Sequence, residues 1–318
     1  MIITDLFVLP PVWESHKRNI SNYIFIPNSL LSFIRYINIT LDKINNGQLV
    51  SDFDSYINQT ISLANGLIFN SVFELDQRIL EVFRQQTSLP GSQMPILFVA
   101  PLISDSVNQH AFIKQWLDAH WEKANRSPCV IYIAFGSWVS IDLKQLIQIT
   151  NALKPYTFIW SLKSKLHPFI SSLKIDLQRH LLLDWAPQRT ILSHPAVRLF
   201  ISHGGWNSLL ESMLAGKPIL IWPFFADQIL NGYRIEHEFR TGRCMENTQK
   251  LVISEKITLL LKGMFVREVE YFEQARQIKQ IISVAKENSS RVYFEEIIRI
   301  IDKQLMITSN TNKKHQEF

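Results

Sequence analysis

Downstream of residue 128, short apolar runs rich in β-branched and aromatic residues alternate with segments whose apolar positions recur at helical spacing. No other feature restricts the fold as strongly. "CVIYIAF" (129–135), "YTFIWSL" (156–162), "HLLLDW" (180–185), "VRLFIS" (197–202) and "PILIW" (218–222) read as buried strands. "SIDLKQLIQITNAL" (140–153), "RTILSH" (189–194) and "WNSLLESMLAG" (206–216) read as the helices between them. Strands interleaved with helices close as right-handed βαβ units, so an α/β fold on a parallel sheet is expected.

Upstream, "IITDLFVL" and "NYIFIP" read as strands, and "ISLANGLIFNSVFEL" as a helix end running into another strand. This is a second, smaller α/β region. Residues 103–127 hold no convincing strand and are polar at both ends, so the connection between domains is expected there. Beyond residue 251 the pattern turns helical, with a break at "ENSS" (287–290). The expected organisation is a partial first domain over 1–102, a linker over 103–127, a second domain with closing helices over 128–307, and a polar, frayed tail over 308–318.

Composition narrows the class. The chain has 318 residues, 47% hydrophobic and 19% charged, which suits a soluble protein of one large domain or two modest ones. The net charge of +5 comes from scattered Lys and Arg, which reads as solvated surface and not as a nucleic-acid patch. The two cysteines, Cys129 and Cys244, are too few for a disulfide framework or a zinc site and fit a reducing compartment. No apolar run reaches the length of a membrane span, and the amino terminus lacks the basic lead and cleavage site of a signal peptide, so a cytoplasmic location is expected. Asn19, Asn38, Asn58 and Asn288 stand in Asn-x-Ser/Thr triplets that then have no glycosylation role.

Open parallel sheets bind ligands at the carboxyl ends of their strands. Gly136-Ser137, Trp185-Ala186-Pro187-Gln188, His203-Gly204-Gly205 and Asp227-Gln228 all fall at that rim. Each has a bland reading as turn, cap, core or surface. Together they point to a ligand. A helix beginning near Trp206 leaves its first amides unpaired at the positive end of its dipole. Glycines at 204 and 205 let a phosphate approach, while Asn207 and Ser208 either donate to it or cap the helix. Glu211, one turn deeper than Asn207, suits the vicinal diol of a ribose. Trp185 either stacks on a base or sits in the core. Asp227 and Gln228 suit sugar hydroxyls or a solvated surface.

The 44 residues from Trp185 to Gln228 resemble the signature box of the plant-type UDP-dependent glycosyltransferases, glycosyltransferase family one. "WAPQ", "ILSHPAV", "HGGWNS", "LESMLAGKP", "WPFFADQ" and Asn231 fall in its register, and "SVFELD", "VAPL", "WLD", "VIYIAFGS" and "FIW" resemble upstream landmarks in order. The resemblance implies the GT-B architecture, two facing Rossmann-like domains with UDP-sugar held mainly by the second. It implies that Trp185 stacks on uracil, the Ala186 backbone pairs with its edge, and Gln188 and Glu211 hold the ribose. Gly136, Ser137, His203, Gly205, Asn207 and Ser208 would then meet the diphosphate, and Trp206, Asp227 and Gln228 the sugar. The closing Gln implies UDP-glucose, a co-substrate; no cofactor or metal is implied. Gly204 departs from the plant pattern, where Cys is usual, and is as in many animal and microbial relatives.

The family's reaction is an inverting displacement by a hydroxyl of a small hydrophobic acceptor, with a histidine as general base and an aspartate stabilising the imidazolium. "IITDLF" resembles the aspartate's strand-end motif, which points to Asp5, or else Asp5 is an ordinary strand-end carboxylate. The histidine is expected upstream of Asp5, so the chain reads as truncated by roughly a hundred residues, most of an α/β domain. His16, close by, does not fit its place. A loose or partner-dependent first domain is then expected, and a non-catalytic UDP-sugar-binding protein is the alternative function.

Overall fold

The computed structural model describes residues 2–5, 22–27, 30, 32–35, 60–99, 101–102, 110–137, 139–225, 227–246 and 248–316. The chain divides into two compact units, Met1–Leu102 with Ile281–Phe318, and Ile103–Gln280.

The first unit carries strands β1 (Ile2–Asp5), β2 (Asn22–Ile26), β3 (Gly66–Asn70) and β4 (Ile96–Val99), with helix α1 (Phe73–Gln85) between the last two. They form a parallel sheet in the order β1-β2-β3-β4, with Asp5 in register with Phe25. Phe33, Phe69, Phe83 and Phe98 pack edge-on or stacked on one another in its core. The end of the chain belongs to this unit as well. Helix α10 (Ser289–Gln316) sets Tyr293 and Ile297 beside Tyr23, Ile68, Leu97 and Val99.

The second unit opens with α2 (Ala111–Lys123), followed by β5 (Val130–Ala134), α3 (Leu143–Leu153), β6 (Thr157–Ser161), α4 (His167–Ser172), β7 (His180–Leu183), α5 (Gln188–Ser193), β8 (Val197–Ser202), α6 (Trp206–Ala215), β9 (Ile219–Ile221), α7 (Gln228–Tyr233) and β10 (Gly242–Cys244). Helices α8 (Ser254–Val266) and α9 (Glu268–Glu287) follow. The sheet is parallel in the order β10-β9-β8-β5-β6-β7. From β5 the chain winds outward to β7, then returns to the other side of β5 to lay down β8, β9 and β10. The reversal falls between β5 and β8, the place where such sheets open a crevice for ligand. β5 is buried along its whole length, and Trp160 and Trp222 fill the core with almost no exposure, because helices cover both faces.

Three expected boundaries move. Residues 103–127 are not simply a linker: α2 buries Ile113 and Leu117, and Asp118 accepts from His194 at 3.0 Å, so this stretch belongs to the second unit. The closing helices do not all finish the second domain, since from Ile281 they pack in the first unit. The stretch 308–316 continues α10 as helix. The expected break at 287–290 is a single turn residue, Asn288. β10 was not among the expected strands, since "GRC" carries no apolar run.

Lys217 gives one testable consequence of this packing. Its ammonium, buried, donates to the carbonyls of His194 at 2.9 Å and Val197 at 3.0 Å. Burial, with the charge of Lys279 nearby, brings its pKa down to about 8. Between there and the ordinary 10.5 the unfolded chain binds more protons than the folded one, so this residue makes stability rise with pH across that window. The full shift is worth roughly 3 kcal/mol. Comparing urea midpoints of wild type and Lys217→Met at pH 7 and pH 9.5 should show the difference moving in favour of wild type at the higher pH.

Candidate functional site

At the carboxyl ends of β5, β6 and β7 lies a cavity of about 550 Å³. Gly136 and Ser137 reach it from the end of β5, Trp185 to Arg189 from the β7–α5 turn, and Ser208 and Glu211 from α6. The Trp185 indole is 67% exposed, which removes its reading as a core residue and leaves a flat apolar face open to the cavity. Ala186 beside it is buried.

Gln188 is the hub of the polar wall. Its amide nitrogen donates to Glu211 Oε2 at 2.7 Å and to Ser208 Oγ at 3.2 Å, and its carbonyl accepts from the Tyr132 hydroxyl at 3.2 Å. Burial holds the Glu211 carboxyl above its ordinary range, opposed by the Gln188 hydrogen bond and the charge of Arg189. Burial and the Glu211 charge push the Tyr132 phenol far up, so it remains a donor. The spacing from Asn207 to Glu211 does place the carboxylate one turn below the start of α6.

The N-cap of α6 is Gly205, so the N-cap position is neither Asn207 nor Ser208. The glycines have a packing reason that the sequence did not show. A Cβ on Gly136 would stand 3.1 Å from the His203 ring, and one on Gly205 2.5 Å from its Nε2. Gly204 has φ +89, and a Cβ there would meet Ile221 at 2.7 Å. The missing side chains make room for the imidazole first. Burial lowers the His203 pKa, opposed by the Ala134 carbonyl, so the ring is neutral at pH 7 and offers a hydrogen bond, not a charge.

Part of the expected map is corrected. The Trp206 indole is 2% exposed and lies 5.5 Å from the Arg234 guanidinium, so its side chain is core and cannot contact a sugar. Gln228 is also buried, and its Oε1 accepts from the backbone N–H groups of Phe224 at 2.7 Å and Phe225 at 3.0 Å. Asn231 donates to Gly204 O at 2.9 Å and Asp227 Oδ2 at 2.8 Å. Burial raises the Asp227 pKa, and the Asn231 hydrogen bond opposes it. Neither Asp227 nor Gln228 is among the residues lining the cavity. In this structure Gln228 braces its own loop, and Asp227 holds the Asn231 amide that reaches Gly204. His203, Gly205 and Asn207 are not among the lining residues, although the His203 ring stands against Gly136, which is. Asp5 ends β1 in the other unit, its side chain outside the described residues, as is His16.

Tyr132, His110, Arg189 and the segment from Ser161 to Leu166 line the cavity without having been expected there. Tyr132 sits within an apolar strand, where only its hydroxyl hinted at a polar task. His110 lay in the presumed linker.

Comparison with known proteins agrees with this geometry. A model of the family described as UDP-glucoronosyl and UDP-glucosyl transferase matches residues 25–281. Anthocyanidin 3-O-glucosyltransferase 2 of Manihot esculenta is 30% identical over 266 residues, which cover 76% of this chain and 72% of that protein. UDP-glycosyltransferase 92A1 of Arabidopsis thaliana is 31% identical over 264 residues, covering 74% of this chain and 52% of its own length. Against relatives of that size the chain spans about half their length. Among solved structures, UDP-glucose: anthocyanidin 3-O-glucosyltransferase in complex with UDP matches with a TM-score of 0.78 over 95% of this chain and 75% of that one, at 23% identity. The two parallel-sheet units are thus the Rossmann-like units of a GT-B fold.

Proposed function

The chain belongs to the family of UDP-glucoronosyl and UDP-glucosyl transferases, and we propose that its cavity holds the UDP portion of a UDP-sugar, UDP-glucose by preference, for transfer of the hexose to a hydroxyl of a small hydrophobic acceptor. One observation carries this reading. The exposed Trp185, the hydrogen-bonded Gln188–Glu211 pair and Ser208 in the first turn of α6 converge on one cavity.

In this reading uracil stacks on Trp185 and meets the Ala186 backbone. The ribose hydroxyls donate to Glu211 and exchange hydrogen bonds with Gln188. The diphosphate sits over the α6 amides, with Gly136, Ser137, His203, Gly205, Asn207 and Ser208 around it. These fixed dipoles, with no metal, offset the charge that grows on UDP as it leaves. Asp227 and Gln228 act on the sugar through the loop they hold. In the transfer step the acceptor oxygen attacks the anomeric carbon from the face opposite UDP. The bond from that carbon to the diphosphate oxygen breaks, and the acceptor's proton passes to a general base, the role that the resemblance gives to a histidine assigned to no residue of this chain.

Titration with UDP-glucose, followed by tryptophan fluorescence, tests the donor site. Wild type should show saturable quenching, and Trp185→Ala should lose most of the quench and about tenfold in affinity, the worth of one base stacked on an aromatic ring. A wild-type protein that ignores both UDP and UDP-glucose at millimolar concentration overturns the reading. Turnover with a simple phenol tests transfer separately. Binding without turnover retains the donor site and favours a UDP-sugar-binding role for this chain.

A further inference from the structure

Trp185 is the most exposed aromatic side chain of the cavity, and exposed indoles on a turn are free to rotate unless something backs them. The described residue that does so here is His110, whose ring centroid lies 5.7 Å from that of Trp185 at an interplanar angle of 50°. His110 precedes α2, and its carbonyl accepts from Lys114 at 3.1 Å, so its backbone is anchored by the helix it starts. Its Nε2 is buried without a hydrogen-bond partner among the described residues. A buried ring nitrogen with no conventional partner is costly. The tilted contact of the imidazole with the indole lies within the range of aromatic pairs.

We propose that His110 is a positioning residue for the donor base: it holds the Trp185 indole in the orientation on which the base stacks, from outside the 44-residue segment to which Trp185 belongs. This rests on the reading above, in which Trp185 stacks on uracil. The platform is then built from two parts of the chain 75 positions apart, and its rigidity comes from α2, which sequence alone assigned to a linker. Ordering the indole before the base arrives removes part of the entropic cost of binding.

The test is a double-mutant cycle on the full chain with His110→Ala and Trp185→Ala, reading dissociation constants for UDP, uridine and inorganic pyrophosphate. His110→Ala should weaken UDP and uridine by the same factor, roughly fivefold, and leave pyrophosphate unchanged. In the Trp185→Ala background the same substitution should have no further effect. His110→Phe, which keeps a ring against the indole, should recover most of the loss, and no recovery would overturn the ring-packing role. Unchanged UDP affinity in His110→Ala overturns the inference, and so does an equal loss in both backgrounds or a matching loss for pyrophosphate. Failure of the wild type to bind UDP would instead overturn the functional reading on which it rests.

Discussion

Glu211→Ala should lower the affinity for UDP by about a hundredfold, the worth of roughly 3 kcal/mol of charge-assisted hydrogen bonds to two hydroxyls. The other carboxylate among the described lining residues, Asp184, is engaged by the Ser164 amide. Gln188 donates to Glu211 at 2.7 Å, so removing Glu211 also takes one partner from the hub that holds Ser208 and Tyr132. Uridine should lose as much as UDP, because the missing partner is the ribose. Inorganic pyrophosphate should lose nothing. Equal affinity of wild type and variant for UDP would remove Glu211 from the site.

The same residue predicts a conflict between stability and binding. Burial raises the Glu211 pKa in the folded protein, so the folded state holds its proton to a higher pH than the unfolded chain does. The favourable contribution is fully present below the unfolded value near 4.5 and is lost as pH rises through the raised one. At pH 7 this carboxyl therefore costs stability in the free protein. Glu211→Gln should melt higher than wild type at pH 7, no higher near pH 4, and still bind UDP more weakly. Calorimetry at the two pH values with and without UDP checks both halves of this statement.

Gly242→Ala should destabilise the second unit by about 3 kcal/mol, which for a unit of this size lowers the melting temperature by roughly 6–12 °C. Gly242 opens β10, and its backbone lies so close to β9 that an added Cβ would fall on the Ile219 carbonyl. No rotamer relieves a clash with backbone. The strands must part, which breaks the register of Gly242 with Ile219 and uncovers the sheet beside Met245 and Val252. β10 is the far edge of the sheet, with β9 and β8 between it and β5. The folded fraction should therefore keep wild-type affinity for UDP. An unchanged melt would mean that the edge strand is not packed as described.

How far the chain could be read in advance depends on the range over which each feature is encoded. Strands β5 to β9 and helices α3, α5 and α6 stand where periodicity puts them, because burial on both faces of a parallel sheet requires continuous apolar runs, and these are local. The rim of the site was legible for a related reason. Once strand ends are known, the residues that follow them are known, and the order of a doubly wound sheet brings the turns after β5, β7 and β8 to one edge. Trp185, Gln188 and Glu211 are therefore neighbours by topology.

Side-chain direction was not legible. Trp206 and Trp185 look alike as letters beside a turn, yet one is core and the other faces the cavity. The difference is that Trp206 is the first residue of a helix packed over Arg234, while Trp185 sits on a turn and stays largely exposed. Gln228 looked like a ligand to sugar and instead receives two backbone amides of its own loop. The closing helices looked continuous with the second unit, but α10 finds its apolar partners on β2, β3 and β4. Periodicity and turn chemistry are properties of neighbours in the chain, so the order of residues alone sets the sheet, its rim and the chemistry gathered there. Which polar groups remain available to a ligand depends on what packs against them from distant segments, and only the folded molecule decides that.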